Sequence, residues 1–364
     1  MRLVFFLSVL AVLLTGLSYV MWHVWALLPF GKCVKAIIVA ALVAAVLSLL
    51  YFRGDRLDNM PLNLAVVAYE ISTSGLFILL YGVMTFLVLD ILTLCRVLPR
   101  AWLHHNGWTA LAIVAVLTAI FVGGNIHYHK KYRKTIALHT EKPIAKPMKI
   151  VMVSDLHLGY NNRRAVFAQW VDMLNEEHAD LILVAGDILD VSARPLIEER
   201  TAEEFKRLNA PVYACLGNHE YYSQEAKARK FYADAGITLL RDDSLLLDNG
   251  LCIVGRDDRT NRNRKSLRDI LPDGAPKDRF TVLLDHQPYH LEEAENLGVD
   301  LQLSGHTHYG QVWPISWITS AIYEITYGEG RRGSTFYYVS SGLGIWGGKY
   351  RIGTKSEYVV IEID

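Results

Sequence analysis

The sequence predicts an α/β domain preceded by an all-α, four-helix transmembrane region, and three observations carry that reading. The 364 residues exceed one average domain, and 52% apolar content with a mean hydropathy of +0.20 is high for a soluble chain. Charge is divided unevenly: residues 1–126 hold 7 Lys and Arg and 4 Asp and Glu, which leaves 30 and 33 for residues 127–364. Beyond that boundary, short apolar runs alternate with stretches of helical periodicity, the pattern of a layered sheet. The chain is therefore divided into a transmembrane region, 1–127, and a second domain, 128–364.

Leu3 to Trp22 runs without a charge, long enough at 1.5 Å per residue to cross a hydrocarbon core of ~30 Å. A cleaved signal peptide is the competing reading. Its apolar region would run only ~7–15 residues before a small-x-small cleavage site, and neither feature fits. Ala36 to Phe52, Ile71 to Leu89 and Trp108 to Ile126 are further uncharged runs. Four spans result, near 3–22, 36–52, 71–89 and 108–126, the third extendable back to Leu62 through Glu70.

Lys and Arg near the span ends set orientation. With the N-terminus inside, Arg2, Arg53, Arg56, Lys130, Lys131, Arg133 and Lys134 are cytoplasmic, against Lys32, Lys35, Arg96 and Arg100 outside. This majority predicts a multi-pass protein of the inner or plasma membrane with its second domain in the cytoplasm. Glu70 and Asp90 flank the third span at expected helix ends, where headgroup water reaches them, so a transport role is not favoured. The basic run His127 to Lys134 reads as an anchor on anionic headgroups, and the lipid bilayer is the first expected partner.

Formal charge is zero, which gives no argument for a nucleic-acid partner. Cys33, Cys95, Cys215 and Cys252 show no CxxC spacing and read as buried thiols, which favours a reducing compartment.

In the second domain, Thr135 to His139 reads as a first strand and Ile150 to Val153 as a buried parallel strand. Val166, Phe167, Trp170, Val171 and Leu174 recur at helical spacing, so Arg163 to Glu177 reads as an amphipathic helix, and Leu181 to Ala185 follows as a strand. Strand, helix and strand in succession form a βαβ unit. Val212 to Leu216, Phe280 to Leu284 and Leu301 to Leu303 are further apolar runs.

Each of these runs ends in metal-binding residue types. Asp155-Leu156-His157 follows the first, Gly186-Asp187-Ile188-Leu189-Asp190 the second and Gly217-Asn218-His219-Glu220 the third. Asp285-His286-Gln287-Pro288 and Ser304-Gly305-His306-Thr307-His308 follow the last two. Residues two apart at a strand end project to the same side, and in α/β sheets the carboxyl ends of strands are where sites are built. Any one block is unremarkable, but five in order are not. Two divalent cations about 3.5–4 Å apart need a bridging carboxylate, imidazoles that suit borderline metals, and oxygen ligands. A water between such ions is acidified enough to attack phosphorus at neutral pH.

DLH, GDxxD, GNHE, HxP and GHTH in that order resemble the calcineurin-type dimetal metallophosphoesterase superfamily, over roughly residues 135–364. The resemblance implies a four-layer αββα sandwich of two facing sheets, in place of a single open sheet. It also implies Asp155, His157, Asp187 and His308 as ligands of one metal, and Asp187, Asn218, His286 and His306 as ligands of the other, with Asp187 bridging. His219 corresponds to the histidine that contacts phosphate and protonates the leaving oxygen, a role that suits an imidazole near neutral pH. Asp190 reads as a carboxylate that fixes the loop or its neighbours. The cofactors are two divalent ions drawn from manganese, iron, zinc or magnesium, with manganese favoured.

One departure is visible: relatives of this layout read GHTHGGQ, whereas Tyr309 stands before Gly310 and Gln311. If the missing glycine held a positive φ, Tyr309 must tolerate it or line the pocket mouth. Arg163, Arg259 and Tyr309 are the candidate substrate-binding residues. Arg259 belongs to a basic loop, Gly255 to Arg268, read as either a solvated surface or an anion-binding rim. Trp313 to Tyr323 is an apolar insertion, read as core in preference to an interfacial surface that admits an acyl chain.

The C-terminal strands resemble those of bacterial membrane-associated phosphodiesterases and UDP-2,3-diacylglucosamine pyrophosphatase-like enzymes. Expected is a membrane-anchored phosphoesterase or pyrophosphatase that uses dimetal-activated hydroxide. Its substrate is a phosphorylated small molecule or a lipid-linked or nucleotide-lipid molecule at the membrane surface. The alternative is a membrane receptor or scaffold whose domain binds a phosphorylated ligand without cleaving it.

Overall fold

Residues 2–52 and 55–364 are described in the computed structural model. Arg53, counted above among the cytoplasmic charges, lies outside the described residues. The chain divides into two units, Met1–Gly124 and Asn125–Asp364.

Among the described residues, four helices are long and apolar enough to cross a membrane: Leu7–Leu27, Lys32–Tyr51, Leu62–Leu94 and Gly107–His129. Each is longer than its uncharged run, because terminal Lys, Asp and His residues are tolerated where a helix leaves the apolar layer. The third absorbs Glu70 and Asp90 within its 33 residues, which corrects their expected position at helix ends. Asp90 accepts a hydrogen bond of 2.6 Å from Tyr19 Oη and lies 3.0 Å from His23 Nε2. A carboxylate among apolar helices is kept by such partners. All four cysteines are free, with Cys215 and Cys252 buried and Cys33 and Cys95 exposed.

In the second unit, alternation along each strand builds two faces. Along strand β2 (Met148–Val153), Ile150 and Met152 join one apolar cluster while Val151 and Val153 join another. Successive side chains point to opposite sides of a sheet, so each strand is covered twice. The first sheet runs β1 (Lys131–Leu138), β12 (Ser356–Ile363), β2, β3 (Leu181–Ala185), β4 (Val212–Cys215) and β5 (Thr238–Leu239). The second runs β10 (Gly328–Arg332), β11 (Thr335–Val339), β9 (Leu301–Ser304), β8 (Phe280–Leu284), β7 (Leu251–Gly255) and β6 (Asp243–Leu246). One cluster, with Ile150, Leu183, Ile253, Val282 and Val359, fills the space between the sheets. A second packs the Arg164–Asn175 helix on the first sheet through Phe167, Trp170 and Val171, and a third covers the outer face of the other sheet. Each such side chain contributes roughly 1.5–3 kcal/mol on burial.

β2, β3 and β4 are parallel, as are β7, β8 and β9, so their carboxyl ends lie together. β12 enters antiparallel to β2 and parallel to β1, a pairing over long sequence separation that local periodicity does not announce. β1 begins four residues earlier than the expected Thr135, so the end of the basic run lies in a strand. Within the run, Arg133 pairs with Glu177 and Lys134 with Glu329, while Lys131 donates to the carbonyls of Tyr128 and Leu343. A strand alternating charge with apolar residues turns its cations toward folded partners.

The insertion after GHTH forms the Ile315–Ile322 helix, and it is not core. Trp313, Trp317, Ile318 and Ile322 are 40, 67, 59 and 55% exposed.

Candidate metal centre

Five strand ends deliver the side chains, and three of them, after β2, β3 and β9, share an unusual backbone. Asp155, His157, Asp187, His306 and His308 all have left-handed φ, between 44° and 70°. Such angles cost a non-glycine residue roughly 1–2 kcal/mol, so surrounding bonds must hold them. They do: Asp155 N donates to Gly186 O at 3.1 Å and His157 N to Asp187 O at 3.0 Å, tying the β2 loop to the β3 loop. Small residues create the room. A Cβ on Gly186 would lie 2.6 Å from His286 Nδ1, and one on Gly305 would collide with Asp155 Oδ2.

Three overlapping groups of ligand atoms result: Asp155, His157 and His308; His157, Asp187 and His219; and Asp187, His286 and His306. Within the first, His157 Nε2 faces His308 Nε2 at 3.0 Å, and His308 Nε2 lies 3.5 Å from Asp155 Oδ1. Asp187 is common to the other two, with Oδ2 3.0 Å from His286 Nε2 and 3.8 Å from His157 Nε2. Its Oδ1 accepts from His219 N at 2.8 Å. Asn218 and His219 open the short Asn218–Tyr222 helix, and Asn218 Oδ1 is buried without a hydrogen-bond partner among the described residues.

Two imidazole nitrogens aimed at one another, an orphaned amide oxygen and buried carboxylates form a donor set that fits divalent cations. His286 Nδ1 donates to Ala185 O at 2.7 Å, which turns Nε2 toward Asp187 as the atom that would meet an ion. Burial holds His306 at about 3, with the His286 charge adding to it, and burial also puts His308 well below the ordinary imidazole range. Both therefore present lone pairs. Burial works against charge on His219 too, but Asp187 and then Asp190 outweigh it and raise His219 to about 9.

Asp190 is fully buried, with Oδ1 3.1 Å from His219 Nδ1. Arg163 is bound to Glu199 by two ion-pair contacts, so its charge is already neutralised. Tyr309 has φ 48° and ψ 39° and stacks on Tyr327 at 5.0 Å, so a left-handed position is occupied by an aromatic residue held by a second ring. Arg259 lies over the Tyr289 ring at 4.3 Å.

Two organising residues escape sequence reasoning. Glu220 is fully buried and accepts from Gly217 N, Asp187 N and Leu189 N at 2.6, 3.1 and 3.0 Å, holding two ligand loops together. Its only signal is its place in GNHE. Arg351 is also fully buried and donates to the carbonyls of His308, Ser341 and Gly344, fixing the last ligand loop to the C-terminal segment. A lone arginine in a glycine-rich stretch gives no signal.

Residues 148–310 match a family model described as calcineurin-like phosphoesterase. An uncharacterized metallophosphoesterase of Aquifex aeolicus is 30% identical over 258 residues, covering 67% of this chain and 97% of that one. Another from Helicobacter pylori is 28% identical over 223 residues, 60% of each chain, so this chain spans well under two thirds of that relative's length. A Bos taurus protein described as a transmembrane protein with metallophosphoesterase domain is 27% identical over 245 residues, covering 61% of this chain and 54% of that one.

Proposed function

Because this chain belongs to the calcineurin-like metallophosphoesterase family, we propose that it is a membrane-anchored hydrolase of phosphoric ester or pyrophosphate bonds. The observation that carries the reading is Asp187, which is common to two of the ligand groups and sets Oδ2 3.0 Å from His286 Nε2 and 3.8 Å from His157 Nε2. In this proposal Asp155, His157, Asp187 and His308 hold one divalent ion, and Asp187, Asn218, His286 and His306 hold the other, with manganese favoured. When bound, the ions supply Lewis acidity that acidifies a water and offsets phosphate charge.

The protein's own groups do the rest. Asp190 accepts from His219 Nδ1, which leaves Nε2 to deliver a proton to the departing oxygen. Ala185 O and Asp190 keep the ligand imidazoles turned inward. The exposed Trp313, Trp317, Ile318 and Ile322 support a substrate met at a lipid surface, since tryptophan and isoleucine suit the headgroup boundary. A lipid-linked or nucleotide-lipid phosphate, of the kind cleaved by UDP-2,3-diacylglucosamine pyrophosphatases, is the finer reading, and the charge count supports a cytoplasmic active site.

Purified full-length protein given Mn²⁺ and bis-p-nitrophenyl phosphate should release p-nitrophenol above a metal-free control. No turnover with any of several divalent ions would sink the enzyme reading in favour of a ligand-binding receptor.

A further inference from the structure

The basic loop after β7 folds into a cationic pocket. A cavity of about 370 Å³ is lined by Arg256, Arg259, Arg262, Arg264, Lys265 and Glu293, among others. Two of these cations serve the fold: Arg256 Nη1 lies 2.7 Å from Glu293 and 3.3 Å from Asp285, and Arg264 Nη1 lies 3.2 Å from Asp285. Arg259, Arg262 and Lys265 form no ion pair with any described residue, so the pocket keeps a positive excess.

Two of its donors are also unmet. Arg256 Nε and Arg259 Nη1 are buried without a hydrogen-bond acceptor among the described residues. A buried donor left unmade costs about 1–3 kcal/mol, and more when charged. A buried donor in a folded protein is normally met by protein, ordered water or a bound ion, and two in one cationic pocket suit an anion. Planar guanidinium groups select an anion with several oxygens, which can take paired bonds.

The pocket adjoins the metal centre by contact. Arg259 stacks on Tyr289, whose Oη lies 3.1 Å from Tyr323 Oη, and the Tyr323 ring is 6.1 Å from His306. On the other side, Asp285, which holds Arg256 and Arg264, immediately precedes His286. A molecule seated with one phosphate at the histidines therefore extends toward a second region built for negative charge.

We infer that the Arg259 pocket binds a second anionic group of the substrate, a phosphate or comparable oxyanion remote from the phosphorus under attack. Its role as a substrate subsite rests on the hydrolase reading above; its binding of an anion does not. The preferred substrates thus carry at least two anionic groups, and a simple phosphate ester with apolar arms leaves half of the recognition surface empty.

Two measurements test this on the full-length protein. Chelator-treated protein is titrated calorimetrically with inorganic phosphate, and Arg259→Gln should weaken binding about tenfold, the loss of one charge-assisted hydrogen bond. Arg262→Gln, at an exposed position that cannot disturb the core, should weaken it in the same direction. Metal-loaded protein is then assayed on bis-p-nitrophenyl phosphate and on a diester whose leaving group carries an additional phosphate. The ratio of kcat/KM for the second over the first should fall about tenfold in Arg259→Gln, through KM. Equal phosphate binding by wild type and Arg259→Gln, or an unchanged ratio, overturns the inference. If neither ester is cleaved the hydrolase reading fails, and calorimetry alone decides whether the pocket binds anions.

Discussion

Asp190 Oδ1 lies 3.1 Å from His219 Nδ1, and the same oxygen is 3.4 Å from His157 Nδ1. The two imidazoles stand edge to face at 4.4 Å. One buried carboxylate thus orients a candidate metal ligand and the candidate proton donor together. Asp190→Asn keeps the shape, and its carbonyl oxygen can still accept from both rings, but it removes the charge that strengthens both bonds. Loss of such an outer partner typically lowers metal affinity or activity by 10–100-fold. Metal titration and kcat should both move in that range, and an effect below about twofold on both would contradict the shared role.

Removing metal should destabilise the fold as well as inactivate. Asp155 and Asp187 are fully buried beside one another's imidazoles, and uncompensated charge there is costly. A ligand at 100 times its Kd stabilises by about 2.7 kcal/mol. EDTA should therefore abolish turnover and lower the unfolding midpoint by several degrees, with recovery on adding Mn²⁺. A midpoint indifferent to chelation would mean that the centre holds no ion in solution.

The legible parts of the molecule were those decided locally. β2, β3, β4, β8 and β9 are buried runs of four to six residues ending in Asp, Asn or His, so their sequence carries both the strand and its cargo. The insertion of β12 between β1 and β2 is decided by pairing Val360 with Val151, far apart in the chain. Glu220 and Arg351 work by satisfying backbone groups, which no residue pattern encodes. The pairing of Arg133 with Glu177 and of Lys134 with Glu329 is likewise hidden, because the partners are distant in sequence.

The Arg133 pair gives a pH test outside the metal centre. Hydrogen bonds from Arg133, then from Tyr358 with partial burial opposing, hold the Glu177 carboxyl below its ordinary range. A depressed carboxyl contributes stability above its unfolded pKa, about 4.3, and loses it as pH falls through the lower folded value. Arg133 is 42% exposed, so the contribution is about 0.5–1 kcal/mol. Glu177→Gln should lower the unfolding midpoint at pH 7, and the gap to wild type should close below about pH 4. A gap that stays constant from pH 7 to pH 3.5 would remove the charge from the explanation.

Gly217 offers the sharpest single-atom test of the centre. Its backbone is extended, with φ −110° and ψ −174°, conformations open to alanine, so Gly217→Ala introduces no backbone strain. The added Cβ would collide with Asp187 Oδ1 and lie 2.7 Å from Asp187 N. Neither atom is the end of a flexible chain. Asp187 N is bonded to Glu220, and Oδ1 accepts from His219 N. The methyl must therefore displace the carboxylate that faces both groups of histidines. Overpacking of this kind costs roughly 1–3 kcal/mol, which a domain with three apolar clusters survives. Far-UV circular dichroism should remain that of wild type, while bound metal falls below two ions per chain and kcat drops by about 100-fold or more. If Gly217→Ala instead retains two ions and wild-type turnover, Asp187 is not the carboxylate on which the centre depends.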